Sequence, residues 1–331
     1  MYVLLMVISV LLLGVLGAVV YVLMRYLPII SNLFLDITVK TRPGHDPRLD
    51  GETVRFVTSD GVKLTGTLTP GGRHQPVIIF CHEFSADRHA ASRYAYFLRE
   101  AGFRIFTFDF RGHGDSEAPA GYVSRLWVTE AEMRDFDAAF DYLMRRDDVN
   151  TEAIGLFGVS RGGGVALCGA SRHNGVIKAV VTDGAYSAHR TLCDYMRKWV
   201  PIFARVRWVY QHHPDWLYRL LGWAAIKVSE WRIHCKAVSL EKSMRDLKTP
   251  TLLVHGERDN YLDVAQARYL AQLNSGHVEL WVIPGTDHNE AVVQVRDQYC
   301  RRLTDFFVTH LDSENRRLTD QKVCAGADHG R

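Results

Sequence analysis

An α/β architecture, with a mainly parallel eight-stranded sheet and helices on both faces, is predicted by three observations in this 331-residue chain. Short apolar runs of strand length alternate with helical stretches from about residue 76 onward. A Gly158-Val159-Ser160-Arg161-Gly162 pentapeptide stands between one such run and a helix rich in small residues. An aspartate loop and a histidine loop then follow two later strands, in that order.

The elements follow in chain order. Residues 54–58 and 62–69, joined by Ser59-Asp60-Gly61, read as an opening antiparallel hairpin whose Asp-Gly turn supplies a positive φ. Strands are expected near 76–81, 104–109, 153–159, 177–183, 250–255 and 278–283, with helical segments between them. That alternation argues for parallel pairing with both faces covered. A last helix, about 290–311, places Val292, Val293, Tyr299, Leu303, Phe306 and Phe307 for packing. The polar stretch 313–331 is expected to be disordered.

Residues 1–24 carry no charged side chain. At about 1.5 Å per residue such a helix crosses a hydrocarbon core of roughly 30 Å, so it reads as a membrane anchor. A cleaved signal peptide is the competing reading. The apolar stretch exceeds the usual core of about 7–15 residues and lacks a basic start or a clear small-x-small cleavage site. Arg25, Lys40, Arg42 and Arg48 all follow the span, so charge bias puts the remainder on the cytoplasmic side. Residues 25–49 form a juxtamembrane linker, and Leu27-Pro28-Ile29-Ile30 and Leu33-Phe34-Leu35 prolong the apolar character toward the membrane interface.

The pentapeptide carries the chemistry. A serine at a sharp strand-to-helix turn needs a cramped backbone, and glycines two residues away on either side remove Cβ atoms that would clash across it. The hydroxyl then stands at a helix N-terminus, where unpaired N–H groups favour negative charge. An alcohol needs a base, and the base needs a carboxylate to fix its tautomer. Asp259 follows the strand Thr251-Leu252-Leu253-Val254-His255, and His288 follows Val278–Ile283 through Pro284-Gly285-Thr286-Asp287. The expected catalytic set is Ser160, Asp259 and His288, with Asp183 at the end of the sixth strand as a substitute acid.

Four blocks now carry a family resemblance across about residues 50–312: Val77-Ile78-Ile79-Phe80-Cys81-His82-Glu83-Phe84, Phe108-Asp109-Phe110-Arg111-Gly112-His113-Gly114-Asp115-Ser116, the serine pentapeptide, and the Asp259 and His288 loops. In these the chain resembles α/β-hydrolases of the group holding serine esterases, monoacylglycerol lipases, lysophospholipases and serine aminopeptidase-type domains. The resemblance implies that the Arg-Gly-His-Gly turn braces the oxyanion loop, with Arg111 and Asp115 structural. It also implies Phe84 N–H as a second oxyanion donor beside Arg161 N–H, which directly follows the nucleophile. Removing one such donor typically costs roughly 3 kcal/mol of transition-state stabilisation. The chain departs from the family at the usual His-Gly, here His82-Glu83. A carboxylate there repels an oxyanion unless it turns away or is paired, and Arg88, Arg111 and Arg161 are the candidate partners.

An insertion between the sixth and seventh strands, 188–243, is expected to form a helical cap. It holds Trp199, Trp208, Trp216, Trp223 and Trp231 with Tyr195, Phe203, Tyr210 and Tyr218. Such a stripe suits core packing; beside Arg190, Arg197, Lys198, Arg205, Arg207 and Arg219 it also suits anionic lipid headgroups. His212 and His213 have no thiol or carboxylate partners at ligand spacing. A net charge of +3 gives no footprint for nucleic acid. Six cysteines without close pairing read as free thiols, and no metal or nucleotide motif appears, so no cofactor is expected. The 47% hydrophobic content includes the anchor and leaves a core large enough for one sizeable domain.

The sequence therefore points to a membrane-anchored serine hydrolase for small-molecule or lipid esters such as monoacylglycerols or lysophospholipids. An aminopeptidase-type amide hydrolase, an acyl-thioesterase and a non-catalytic membrane-tethered binding module are the alternatives. Oligomeric state stays open.

Overall fold

A computed structural model describes residues 1–35, 49–84, 86–203 and 214–311. The expected tail 313–331, most of the linker, Trp208, Tyr210, His212 and His213 lie outside the described residues, as do the side chains of Trp199 and Phe203.

The strands are β1 (Glu52–Val57), β2 (Lys63–Leu68), β3 (Val77–Cys81), β4 (Arg104–Phe108), β5 (Ile154–Val159), β6 (Ile177–Asp183), β7 (Thr251–Gly256) and β8 (Val278–Ile283). They form one sheet in the order β1-β2-β4-β3-β5-β6-β7-β8. β1 and β2 are antiparallel, β2 joins β4 antiparallel, and every later pairing is parallel. The eight expected strands are all present, within two residues at each end. At the hairpin turn Thr58 N–H bonds Val62 O at 2.9 Å and Gly61 has φ 86°, the conformation that Asp-Gly favours.

The helices are α1 (Tyr2–Leu35), α2 (Ala91–Tyr94), α3 (Tyr96–Glu100), α4 (Glu130–Met144), α5 (Arg161–Arg172), α6 (Ala188–Phe203), α7 (Asp215–Ile233), α8 (Leu240–Asp246), α9 (Val264–Gln272), α10 (Ala291–Gln294) and α11 (Arg296–Leu311). The expected last helix is broken in two at Val295, whose φ of −128° is not helical. Helix α4 starts on a capping box in which Thr129 and Glu132 satisfy each other's backbone donors.

β3 shows why the sheet is covered on both sides. Val77, Ile79 and Cys81 enter a core shared with Phe136 and Phe140 of α4 and Val165 and Leu167 of α5. Ile78 and Phe80 enter a second core with Tyr94, Leu98, Leu303 and Phe307. Alternate residues thus serve opposite faces, as the period of an extended chain dictates.

The chain divides into two compact units. The larger holds residues 38–188 and 238–331 and includes the sheet. The smaller holds residues 1–37 and 189–237, and within it α1 packs on α7. Leu240 and Met244, from the end of the expected cap and just beyond it, are buried in the sheet's own core. Helix α1 does not stop near residue 24 but runs through Pro28 to Leu35. Val22, Leu23, Leu27 and Ile30 recur at helical spacing as partly buried positions, which holds the helix together past its proline.

Candidate active site

Ser160 occupies the point where β5 turns into α5. Its backbone has φ 52° and ψ −118°, a region that costs an ordinary residue of order 1–3 kcal/mol. The flanking glycines make the turn possible. A Cβ on Gly158 would lie 2.3 Å from Gly162 O, and one on Gly162 would lie 2.1 Å from Cys81 O. The second contact also seats the head of α5 against the end of β3, where the loop carrying Phe84 begins. Ser160 N–H donates to Asp183 O at 2.7 Å, tying the elbow to the neighbouring strand.

The structure brings together the three residues expected from the sequence. Ser160 Oγ lies 3.1 Å from His288 Nε2, and His288 Nδ1 lies 2.6 Å from Asp259 Oδ2. With the serine hydroxyl donating to Nε2, the imidazole proton resides on Nδ1 and is donated to the carboxylate. Asp259 Oδ1 accepts from Tyr261 N–H at 2.9 Å and Leu262 N–H at 2.7 Å. Burial works to raise this carboxyl, but the His288 hydrogen bond and charge and the Leu262 amide outweigh it and hold Asp259 below its ordinary range. His255, nearby, donates Nε2–H to Leu262 O at 2.9 Å, and burial keeps its ring neutral.

The two loops that present Asp259 and His288 are clamped to each other. Glu257 N–H bonds Ile283 O at 2.9 Å and Arg258 N–H bonds Thr286 O at 2.9 Å. Gly256 permits that approach, since a Cβ there would sit 2.4 Å from Thr286 O. Asp183, the substitute acid, is not bonded to the histidine. Its Oδ2 accepts from Tyr299 OH at 3.0 Å, and burial pushes the group up to about 6.

The two expected oxyanion donors belong to different elements. Arg161 N–H is the first of α5, and Phe84 N–H lies in the turn after β3. The resemblance predicted that the second block braces this turn, and His113 Nε2 reaches Phe84 O at 3.0 Å. His82 locks the other side: its Nε2 accepts from Phe110 N–H at 3.2 Å, so Nδ1–H donates to Glu83 O at 2.7 Å. Arg111 is taken up by Asp60 at 2.9 Å and Asp135 at 2.7 Å, and Asp115 pairs with Arg88 at 2.6 Å.

Glu83 is paired with none of the three arginines named from the sequence. Arg88 binds Asp109 and Asp115, Arg111 binds Asp60 and Asp135, and Arg161 Nη1 donates to Ser124 Oγ at 2.6 Å and Arg125 O at 3.0 Å. Each guanidinium is taken up by acceptors elsewhere in the fold. Glu83 Oε1 instead meets Tyr94 OH at 3.5 Å, and Oε2 is buried with no hydrogen-bond partner among the described residues. Burial pushes this carboxyl up, which favours its neutral form and relieves repulsion of an oxyanion.

Two contributions were not read from the sequence. The Arg161 side chain is almost fully buried, with its guanidinium carbon 5.2 Å from the ring centroids of both Phe84 and Phe110. The residue that supplies one amide therefore also packs on the loop that supplies the other. Gly184, after β6, makes room for the histidine: a Cβ there would fall 2.8 Å from His288 Cε1. An Asp-Gly directly after a strand was the available signal.

Comparison with known proteins agrees with the fold. Residues 76–222 match a family model described as the alpha/beta hydrolase fold. The chain is 25% identical over 280 residues to the uncharacterized YfhR protein of Escherichia coli, covering 82% of this chain and 85% of that protein. It is 32% identical to the thiohydrolase aneE of Aspergillus aculeatus over 115 residues, 34% of this chain and 35% of that one. Among solved structures, the esterase Pf2001 of Pyrococcus furiosus superposes with a TM-score of 0.63 at 22% identity, covering 83% of this chain and 99% of its own. Strand order, elbow and family match lead to one conclusion: the chain has the α/β-hydrolase fold.

Proposed function

We propose that this protein is a serine hydrolase that cleaves carboxylic esters through an acyl-enzyme on Ser160. The observation that carries the reading is the continuous hydrogen-bonded path from Ser160 Oγ through His288 to Asp259 Oδ2. His288 Nε2 takes the hydroxyl proton as Oγ attacks the acyl carbonyl. Asp259 keeps the ring oriented and stabilises the imidazolium. Arg161 and Phe84 amides receive the oxyanion. His288 then passes its proton to the leaving alcohol, the ester C–O bond breaks, and a water activated by the same imidazole releases the acid.

Lipid-type esters, monoacylglycerols or lysophospholipids, are the proposed substrate class, and α1 is the proposed single-pass anchor, leaving the catalytic part cytoplasmic. The support for the anchor is an apolar helix covering Tyr2–Asn32, long enough to cross a membrane. In this reading residues 1–24 form the span, 25–49 the linker, 50–312 the hydrolase domain, 188–243 the inserted cap and 313–331 the tail. Two rival bonds have a specific observation behind them. The likeness to a thiohydrolase favours thioesters, and Glu83 Oε2, buried with no hydrogen-bond partner among the described residues, favours a substrate bearing an N–H donor such as an amine.

The test uses the full chain in detergent. A fluorophosphonate probe should label the protein at Ser160 and fail on Ser160→Ala. A panel of lipid esters, acyl thioesters and aminoacyl arylamides should show highest kcat/KM on the lipid esters. Absence of labelling returns the protein to the non-catalytic reading, and preference for thioester or amide replaces the substrate class.

A further inference from the structure

Helix α7 carries large apolar side chains on two opposite sides. Tyr218, Leu221, Gly222, Ala225 and Ser229 form its buried side. At about 100° per residue, Trp216, Trp223 and Trp231 fall together on the other side. These three indoles are 52%, 56% and 75% exposed. Arg219 and Lys227 share that face and are exposed with them, Lys227 ion-paired at 2.6 Å with Glu230 of the same face. The outward side of a helix in water ordinarily carries charge, and isolated exposed apolar residues need no explanation. Three tryptophans aligned on one helix face do.

The surroundings of α7 indicate what covers that face. α7 packs on α1 within the smaller unit. Arg232, at its C-terminal end, donates to Ser31 Oγ at 3.3 Å and to Asn32 Oδ1, at the C-terminal end of the apolar helix. Helix α7, and with it the indole face, is thereby tied to the segment proposed to enter a bilayer. Indole has an apolar body and one N–H donor, and it concentrates at the headgroup level of membranes. Arg and Lys beside it can lay their aliphatic stems on the apolar side and reach phosphate oxygens.

We propose that the Trp216–Trp223–Trp231 face of α7 lies in the headgroup interface of the bilayer that α1 enters, as a second contact between this protein and phospholipid. The proposal rests on the reading of α1 as a membrane span, and its test separates the two. All seven tryptophans lie outside α1, and Trp127 and Trp281 are buried, so tryptophan fluorescence reports contacts other than the anchor itself.

The full chain is reconstituted into phosphatidylcholine–phosphatidylserine vesicles with and without bromine on the upper acyl carbons, and flotation is followed beside tryptophan emission. The expected result is flotation together with a loss of tryptophan emission in brominated vesicles, to which the three exposed indoles of α7 contribute. The variant with Trp216→Phe, Trp223→Phe and Trp231→Phe should still float but lose that quenching. Flotation without quenching, or equal fractional quenching in the triple variant, overturns the proposal and leaves the anchor standing. Failure to float overturns both. Protection of these tryptophans from acrylamide before any vesicle is added overturns it in favour of a second copy of the chain as the covering partner.

Discussion

Asp183 ends β6 and Asp259 follows the neighbouring strand β7, and both are buried, yet their titrations are shifted in opposite directions. Asp259 receives two backbone amides and an imidazole, and these hold it low against the effect of burial. Asp183 receives one phenol, and burial prevails, raising it to about 6. Burial by itself therefore does not decide whether a carboxyl is ionised. The number and kind of donors aimed at it do.

The largest test of this contrast removes the proton path altogether. Ser160→Ala and His288→Ala should each lower kcat on a short p-nitrophenyl ester by about 10⁶-fold while circular dichroism stays native. Retained turnover in either would break the proposed roles. Asp259→Asn leaves shape intact but inverts the partner the imidazole sees, so kcat should fall by about 10⁴-fold. Asp183→Asn should change kcat by less than about threefold, as it makes no bond to the histidine. A greater loss in Asp183→Asn than in Asp259→Asn would reverse the two assignments.

Stability against pH sharpens the same comparison. An acid raised from 3.8 to about 6 binds its proton more tightly in the folded state. Its favourable contribution is complete below the unfolded value and lost as pH climbs to the folded one, a change on the order of 3 kcal/mol. Asp259 has the opposite sign: its contribution is present at neutral pH and lost only as pH falls below the unfolded value of 3.8. Thermal melts should therefore show wild-type Tm falling relative to Asp183→Asn between pH 4 and pH 6. Parallel curves would mean that Asp183 is ionised in the fold. The smallest expected effect is at Glu83. Because burial favours its neutral form, Glu83→Gln should change kcat/KM on a neutral ester by less than about threefold. A large gain on esters would show a charged carboxylate repelling the oxyanion.

The fold was legible because its signals are local. Apolar runs of five or six residues, the Asp-Gly turn at 60–61 and a glycine-flanked serine each depend on nearby residues alone. The order Ser160, Asp259, His288 was legible because each follows a strand, and the ends of parallel strands converge on one edge of the sheet. The partner of Glu83 was not. Three arginines were equally plausible along the chain, and only the tertiary structure gave each of them to a different aspartate, hydroxyl or carbonyl. Likewise, Trp216, Trp223 and Trp231 read first as core packing, with a lipid-facing surface as the alternative, until the face of α7 was known.

The amino-acid sequence by itself determined the architecture and placed Ser160, Asp259 and His288 after strands, because backbone conformation and hydrophobic period are properties of short segments. The tertiary structure decided which aspartate meets the imidazole, how the Arg161 side chain packs on the loop bearing Phe84, and which side of α7 carries its indoles outward. Those outcomes depend on distances between residues far apart in the chain. Hydrogen bonds and clashes act within a few ångströms, so they exist only after the sheet has brought those residues together.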